Sequence, residues 1–506
     1  MTHTSSKPAS PVGEWLARDA NGWLCAAAVL FALIYCRFWP LTYTTMDEAG
    51  YVGNAYLLRH GTVYADQAHV FIATNFLVDG HFVSKYPLGM AALIALVSFA
   101  GWKTALGVNL FVHLATFSVF VRLVRRIGVP GIWGLLYLLH PTAVLFCRTA
   151  MADLFSGLLL ALAFDALLRA RLLATGLLAG LAIAVRTGNI VFLPAFALAP
   201  FAEPWLKSGG EVWGRVPALL RLSIGFIPGL AFAAYFLVVL THGQVANNTG
   251  TFHLHYFGEM FPAYAASLLV LYPGMLLAPA LYRGPQRVTL MALCYGVVLL
   301  YSFWFYRDTG SSMVENLIVG QRYMLAVLPL FLLAYAEVLW RLIGARLWVN
   351  ANARPILKGT VGACALVLFV IGFLVQKRHE ELLTTLALVR DRVYATTTTQ
   401  DRVYCNPNIA KLLHPAWGRR DVVLVLDAEQ AAQDARQWLA SAPRSGRVVG
   451  AYWARSGRAM EQEEANRVAR LGQLLRASPE KKEANGSADL NLFTLAPDDV
   501  TGGKVP

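Results

Sequence analysis

Two adjacent acids, Asp47 and Glu48 in "TTMDEAGY" (residues 44–51), stand just past an apolar run of membrane-spanning length, "WLCAAAVLFALIYCRFWPL". A carboxylate so placed can take the proton of an attacking hydroxyl if it lies within hydrogen-bond reach, or it can ligate a cation. Lys85, Arg148, Asp153, Arg186, Glu259 and Arg322 also fall close to the ends of apolar runs. Charged side chains at membrane depth are costly to desolvate, so they tend to face polar cavities and mark sites. Taken singly, each has a plainer reading. Arg186 and Arg322 could snorkel to headgroups, and Asp47 and Glu48 could be solvated loop acids. Taken together, they point to carboxylates for acid/base work and cations for a phosphate.

The elements that must position these groups are membrane helices. The chain has 506 residues, 57% hydrophobic and 14% charged. Soluble domains carry about 25% charged residues, so most of this chain belongs in lipid. Apolar runs predict spans at 21–39, 104–121, 131–147, 154–168, 172–185, 188–202, 218–240, 263–282, 288–305, 323–340 and 357–376, about eleven helices near the ~20-residue spanning length. The run 88–100 is too short to span and reads as interfacial or re-entrant. The expected fold class is an all-α polytopic membrane protein with a small C-terminal α/β extramembrane domain.

Charge sets the orientation. With 88–100 not spanning and the N-terminus inside, the basic loops around Arg122/Arg125/Arg126, Arg169/Arg171, Lys207/Arg215/Arg221, Arg283/Arg287 and Arg341/Arg346/Arg354/Lys358 are all cytoplasmic, as the positive-inside bias requires. A spanning 88–100 would reverse it. Asp47 and Glu48 are then external, in a long first loop of residues 40–103, and an odd helix count puts residues 377–506 outside as well. Residues 1–376 form the expected transmembrane catalytic domain. In the tail, "RDVVLVLD" (420–427) and "GRVVGAYWA" (446–454) read as strands and 428–441 and 458–477 as amphipathic helices. "KKEANGSAD" (481–489) reads as a loop before a last strand, "LNLFTL". No catalytic motif stands out in the tail.

The net charge of +13 is explained by these loops. No basic stripe with interleaved aromatics marks a nucleic-acid surface. The six cysteines form no CxxC pair and fall mostly in apolar runs, where Cys behaves as a small hydrophobe. The N-terminal segment lacks an A-x-A cleavage pattern, so the first apolar run is expected to be retained.

Several segments resemble the polyprenyl-phosphate-sugar-dependent membrane glycosyltransferases of the GT-C class, the group of the lipid A aminoarabinose transferases and protein O-mannosyltransferases. "DEAGYVGNAYLLRHG" (47–61) resembles the family's Asp-Glu opening, and "SKYPLG" (84–89) its Lys-Pro-Pro-Leu element with Tyr86 in place of the first Pro. "RTAMADLFSGLLLALAFDALL" (148–168) is similar to its second outer loop, and "GLLAGLAIAVRTGNIVFLP" (176–194) to the segment that follows. "QRYMLAVLP" (321–329) resembles an Arg-Tyr…Pro element at a later helix mouth. The likeness covers the first ~200 residues best. Gly50 departs from it, standing where the aminoarabinose enzymes carry a basic residue.

The resemblance implies transfer of a sugar from a polyprenyl-phosphate donor to an envelope acceptor (glycolipid, polysaccharide or protein) on the outer face of a bacterial inner membrane, with inversion. It makes Asp47 the base, with Glu48 as alternative base or metal ligand. Lys85, Arg186 and Arg322, with Arg148 and Tyr323 beside them, would bind the donor phosphate, and Asp153 would orient a cation or the acceptor. A divalent metal is open, with Glu48, His253, His255 and Glu259 as weak ligand candidates; no other cofactor is expected. Membrane lipids are the remaining partners. The alternatives are a secondary transporter, which calls for an internal repeat with helices broken at the midplane, and a non-catalytic scaffold of an envelope complex.

Overall fold

The structure is a computed structural model and describes residues 11–67, 70–71, 74–208, 216–245, 252–304, 313–350, 353–441, 445–455, 458–477, 479–484 and 488–496. The chain divides into two compact units, one of residues 1–39, 109–235 and 248–377, the other of residues 40–108, 236–247 and 378–506.

The first unit is helical. Among the described residues four helices of the chain are long and apolar enough to cross a membrane (Val108–Arg126, Val216–Leu240, Leu328–Leu347 and Gly359–Thr396), or five if the bent pair Leu254–Val270 and Met275–Leu281 is one span. The Leu172–Val185 helix has the bounds its apolar pattern predicts. It packs against Val216–Ala234 through two small-x-x-x-small pairs, Gly176/Gly180 and Gly225/Gly229. A Cβ at Gly225 would stand 2.8 Å from Leu177 N, and one at Gly176 3.0 Å from Gly225 Cα. Helices in lipid associate through such close backbone approach rather than through hydrophobic exclusion.

Several expected spans are broken. Residues 131–147 form a 3-10 turn, Gly131–Gly134, and two short helices, Leu135–Leu138 and Pro141–Phe146. Pro141 donates no hydrogen bond to the turn before it, so it starts a new helix instead of continuing one. Residues 263–282 bend by 105° at Gly274, whose φ is +86°. The last span lies inside a 43-residue helix, Arg354–Thr396.

The second unit mixes helices and strands. Helix Met46–Arg59 is followed by a hairpin of β1 (Asn75–Val78) and β2 (His81–Ser84), antiparallel with Val78 facing His81. Asp79 and Gly80 turn the hairpin with φ of +50° and +81°, the conformation for which Asp-Gly is favoured. Lys85 and Tyr86 then lead to Pro87, the N-cap residue of a short helix, Leu88–Val97. The rest is a five-stranded sheet of β3 (Arg402–Cys405), β4 (Asp421–Leu424), β5 (Val448–Tyr452), β6 (Pro479–Ala484) and β7 (Ala488–Leu495), in the order β4-β3-β5-β7-β6. β3 is parallel to β4 and β5, and β7 antiparallel to β5 and β6. Helices Ala428–Ser441 and Ala459–Leu474 bury Ala435, Leu439, Val468 and Leu471 against Tyr404, Val448 and Phe493. The segment 481–489, expected as a loop, instead supplies most of β6 and the start of β7; its residues 485–487 lie outside the described ones. Strand β3, which lies between β4 and β5, was not foreseen.

Candidate active site

Asp47 enters the second unit's helix at the first turn. Thr45 is the N-cap: its Oγ1 accepts from Glu48 N at 3.2 Å, while Glu48 Oε2 accepts from Thr45 N at 3.2 Å, a capping box. The same Oε2 also accepts from Thr44 N at 3.0 Å. Glu48 is buried and binds the helix start, and Asp47 beside it has a side-chain partner from another segment. That partner is Tyr86, whose hydroxyl donates to Asp47 Oδ1. The Tyr86 ring packs against Tyr51 at a tilt of 31° with centroids 4.6 Å apart, and Lys85 Nζ lies 5.4 Å from its centroid. Thus Asp47, Tyr86 and Lys85 form one group at the helix start.

The loop before the acids is held by residues far along the chain. Lys411 Nζ donates to Thr44 O at 2.9 Å and to Asn408 Oδ1 at 3.0 Å. Tyr43 donates its hydroxyl to the Lys411 carbonyl, and Arg390 Nη1 donates to Leu41 O at 3.0 Å. Burial, helped by the nearby Arg455 and opposed by Glu461, Glu48 and Glu464, pulls the Lys411 ammonium down to about 8.

In the first unit the acid is Asp153, first residue of helix Asp153–Leu168 and buried. Arg186 Nη1 donates to its Oδ1, and Arg322 Nε lies 3.5 Å from its Oδ2. Arg186 sits where helix Leu172–Val185 ends, in extended backbone. Asn189 just beyond donates to Ser156 Oγ at 3.0 Å and to Ala182 O at 2.7 Å, tying that break to the Asp153 helix. Arg322 opens a 3-10 turn before helix Leu328–Leu339. Gly157 admits this turn: a Cβ there would stand 2.7 Å from Leu325 O. Two tyrosines complete the cluster. The Arg186 guanidinium lies 5.4 Å from the Tyr301 ring and 5.5 Å from the Tyr323 ring, and the two rings are 4.9 Å apart. Asp153 and the two guanidiniums sum to +1, in a setting where side-chain exposure is 3% for Asp153, 9% for Arg322 and 19% for Arg186. Such a pole can stabilise an additional anion, because its cations are already desolvated and fixed.

The structure therefore brings Asp153, Arg186, Arg322 and Tyr323 together in one unit and Asp47, Glu48 and Lys85 in the other. Arg148 is buried and donates from Nη1 to Gln376 O at 2.6 Å, with its guanidinium 5.7 Å from the Phe38 ring. The His253 and His255 rings are 5.1 Å apart, just before the helix that carries Glu259. Among the described residues no three His, Cys, Asp or Glu side chains gather as a metal site would require. Sequence reasoning missed Tyr86, Tyr301 and Lys411 as partners. The Thr45-x-x-Glu48 spacing was a readable signal for the capping box.

No protein-family model matches the chain, and no curated protein matches it in sequence. Among the solved structures that match are two that do so over nearly their whole length. ArnT from Cupriavidus metallidurans in the apo state is 12% identical with a TM-score of 0.61, covering 96% of this chain and 100% of that one. ArnT from Cupriavidus metallidurans bound to undecaprenyl phosphate is 11% identical with a TM-score of 0.60, covering 94% and 98%. The resemblance drawn from short motifs thus extends to the fold of almost the entire chain.

Proposed function

Starting from that shared GT-C fold, we propose that the chain is a membrane glycosyltransferase. It moves a sugar from a polyprenyl-phosphate donor to an envelope glycolipid, polysaccharide or protein on the outer face of the bacterial inner membrane. The observation that carries this reading is the buried pole in which Arg186 and Arg322 both meet the carboxylate of Asp153. Its two fixed, largely desolvated guanidiniums suit a lipid phosphate that gains negative charge as it leaves. The presence of undecaprenyl phosphate in the structure of a protein of like fold supports the same donor class.

In the proposed reaction the acceptor hydroxyl attacks the anomeric carbon. The bond from that carbon to the phosphate oxygen breaks, and its electron pair leaves with the phosphate. Asp47 takes the hydroxyl proton, and one displacement inverts the anomeric centre. Arg186 and Arg322 stabilise the phosphate charge in this reading, Lys85 adds a further cation, and Asp153 keeps the two guanidiniums oriented. Glu48 caps the helix that presents Asp47.

The test uses purified protein in lipid nanodiscs with undecaprenyl-phosphate glucose, mannose and aminoarabinose in separate reactions and an envelope extract as acceptor. Transfer by the unaltered protein should fall ~10²–10⁴-fold in Asp47→Asn, the usual effect of losing a placed general base. Binding of undecaprenyl phosphate should survive. Near-normal transfer by Asp47→Asn would exclude it as the base.

A further inference from the structure

Gly50 and Tyr86, the two positions that depart from the resembled motifs, meet in the fold. A Cβ at Gly50 would stand 2.7 Å from Tyr86 Cδ2 and 2.9 Å from its Cε2. Real carbon atoms do not approach so closely, so the ring occupies its place because residue 50 has no side chain. Other contacts hold it there. Tyr51 packs against it, Asn54 Nδ2 donates to the Tyr86 carbonyl at 3.1 Å, and Tyr86 N donates to Ser84 Oγ at 3.1 Å. From this fixed ring the hydroxyl reaches Asp47 Oδ1.

The geometry points to Tyr86 as a positioning residue for Asp47, with Gly50 as the space that admits it. This rests on the reading of Asp47 as the base. A hydrogen bond from a phenol fixes the plane of the carboxylate, so that it meets the acceptor's proton in one direction. Proton transfer depends steeply on such alignment. The Lys85 ammonium, 5.4 Å from the ring centroid, is ordered by the same ring through its attraction to the π face. One side chain therefore sets both the acid and a cation beside it.

Tyr86→Phe keeps the ring and removes only the hydroxyl. With whichever of the three donors supports transfer, it should lower kcat on the order of tenfold, as loss of one hydrogen bond to a charged group does. The donor KM should stay within about twofold. Gly50→Ala should push the ring aside and reproduce the kcat loss. It should also lower the melting temperature in the wild-type background and by less than half as much in Tyr86→Ala, a steric coupling that needs no substrate. A Tyr86→Phe variant with wild-type kcat, or one whose KM rises in step with the loss, overturns the proposal. So does a Gly50→Ala effect on melting that is the same in both backgrounds. If Asp47→Asn is inactive while Tyr86→Phe is normal, only the positioning role falls. If Asp47→Asn transfers sugar normally, the base assignment falls and Tyr86's role goes with it.

Discussion

Replacing Asp153 by Asn should weaken the protein and strengthen its grip on a lipid phosphate at the same time. The carboxylate is the partner of both Arg186 and Arg322, and all three are largely withdrawn from solvent. At an effective dielectric of ~20, unit charges ~4 Å apart attract by about 4 kcal/mol. Removing one partner from a buried pair typically costs about 3–5 kcal/mol because the other charge is stranded. An amide of the same shape leaves two guanidiniums facing each other with a charge of +2 in place of +1. The expected drop in melting temperature is on the order of 5 °C in lipid nanodiscs. An added anion should recover much of it, since a ligand at ~100 times its Kd contributes about 2.7 kcal/mol. The assay is thermal melting of wild type and Asp153→Asn with and without undecaprenyl phosphate. Asp153→Asn should show the larger ligand-induced shift, and Asp153→Asn/Arg186→Gln, with its charge restored to +1, should return toward the wild-type shift. If Asp153→Asn melts within ~1 °C of wild type and gains no more from the lipid, Asp153 does not hold the arginines and the phosphate pole is misassigned.

Other outcomes follow from single contacts. Glu48→Gln should be milder than Asp47→Asn in transfer, because Gln also completes a capping box; an equal loss would show that Glu48 acts on substrate. Lys411 is held at about 8 by burial, against about 10.4 in an unfolded chain. Below pH 8 it is charged in both states, and the burial penalty is present in full. Between about 8 and 10.4 only the unfolded chain keeps the proton, so stability rises with pH, by up to about 3 kcal/mol; melting at pH 7.5 and 9.5 should show this rise in wild type and lose it in Lys411→Met. Gly229→Ala, which would press on the Gly180 backbone, should destabilise by more than about 2 kcal/mol, whereas Gly296→Ala, with nothing within 4 Å, should be neutral or stabilising by up to ~1 kcal/mol. A topology reporter joined after Arg378 should register outside the cytoplasm; a cytoplasmic signal would refute the orientation drawn from loop charge.

What could be read in the sequence was local. The Leu172–Val185 helix follows from an unbroken apolar run, and strands β4, β5 and β7 from their β-branched and apolar runs. Asp153, Arg186 and Arg322 were singled out because charge beside an apolar run is conspicuous. That they meet was implied by the resemblance and not by the residues alone, since the contact joins separate elements, with Gly157 admitting the Leu325 backbone. The β1–β2 hairpin carried its Asp79-Gly80 signal inside a segment read only as a loop. Strand β3 is four residues long, too short for alternation to stand out. The break at Pro141 was visible in composition, but the apolar run on both sides masked it. Tyr86 looked like a lost proline because its hydroxyl's partner is in a different element.

The loop ahead of the acids has a history as well as a geometry. Its holds come from Arg390 and Lys411, which lie 349 to 368 positions downstream. At ~5–20 residues per second a ribosome needs roughly 20–70 s to travel from one to the other. For that interval the nascent chain already carries Asp47 and Glu48 but not the downstream groups that hold Leu41 O, Tyr43 and Thr44 O. The helix start then has its capping box and Tyr86, while the loop ahead of it lacks its downstream holds. A polypeptide interrupted before Lys411 would stay in that state, so the seating of this loop is coupled to finishing synthesis.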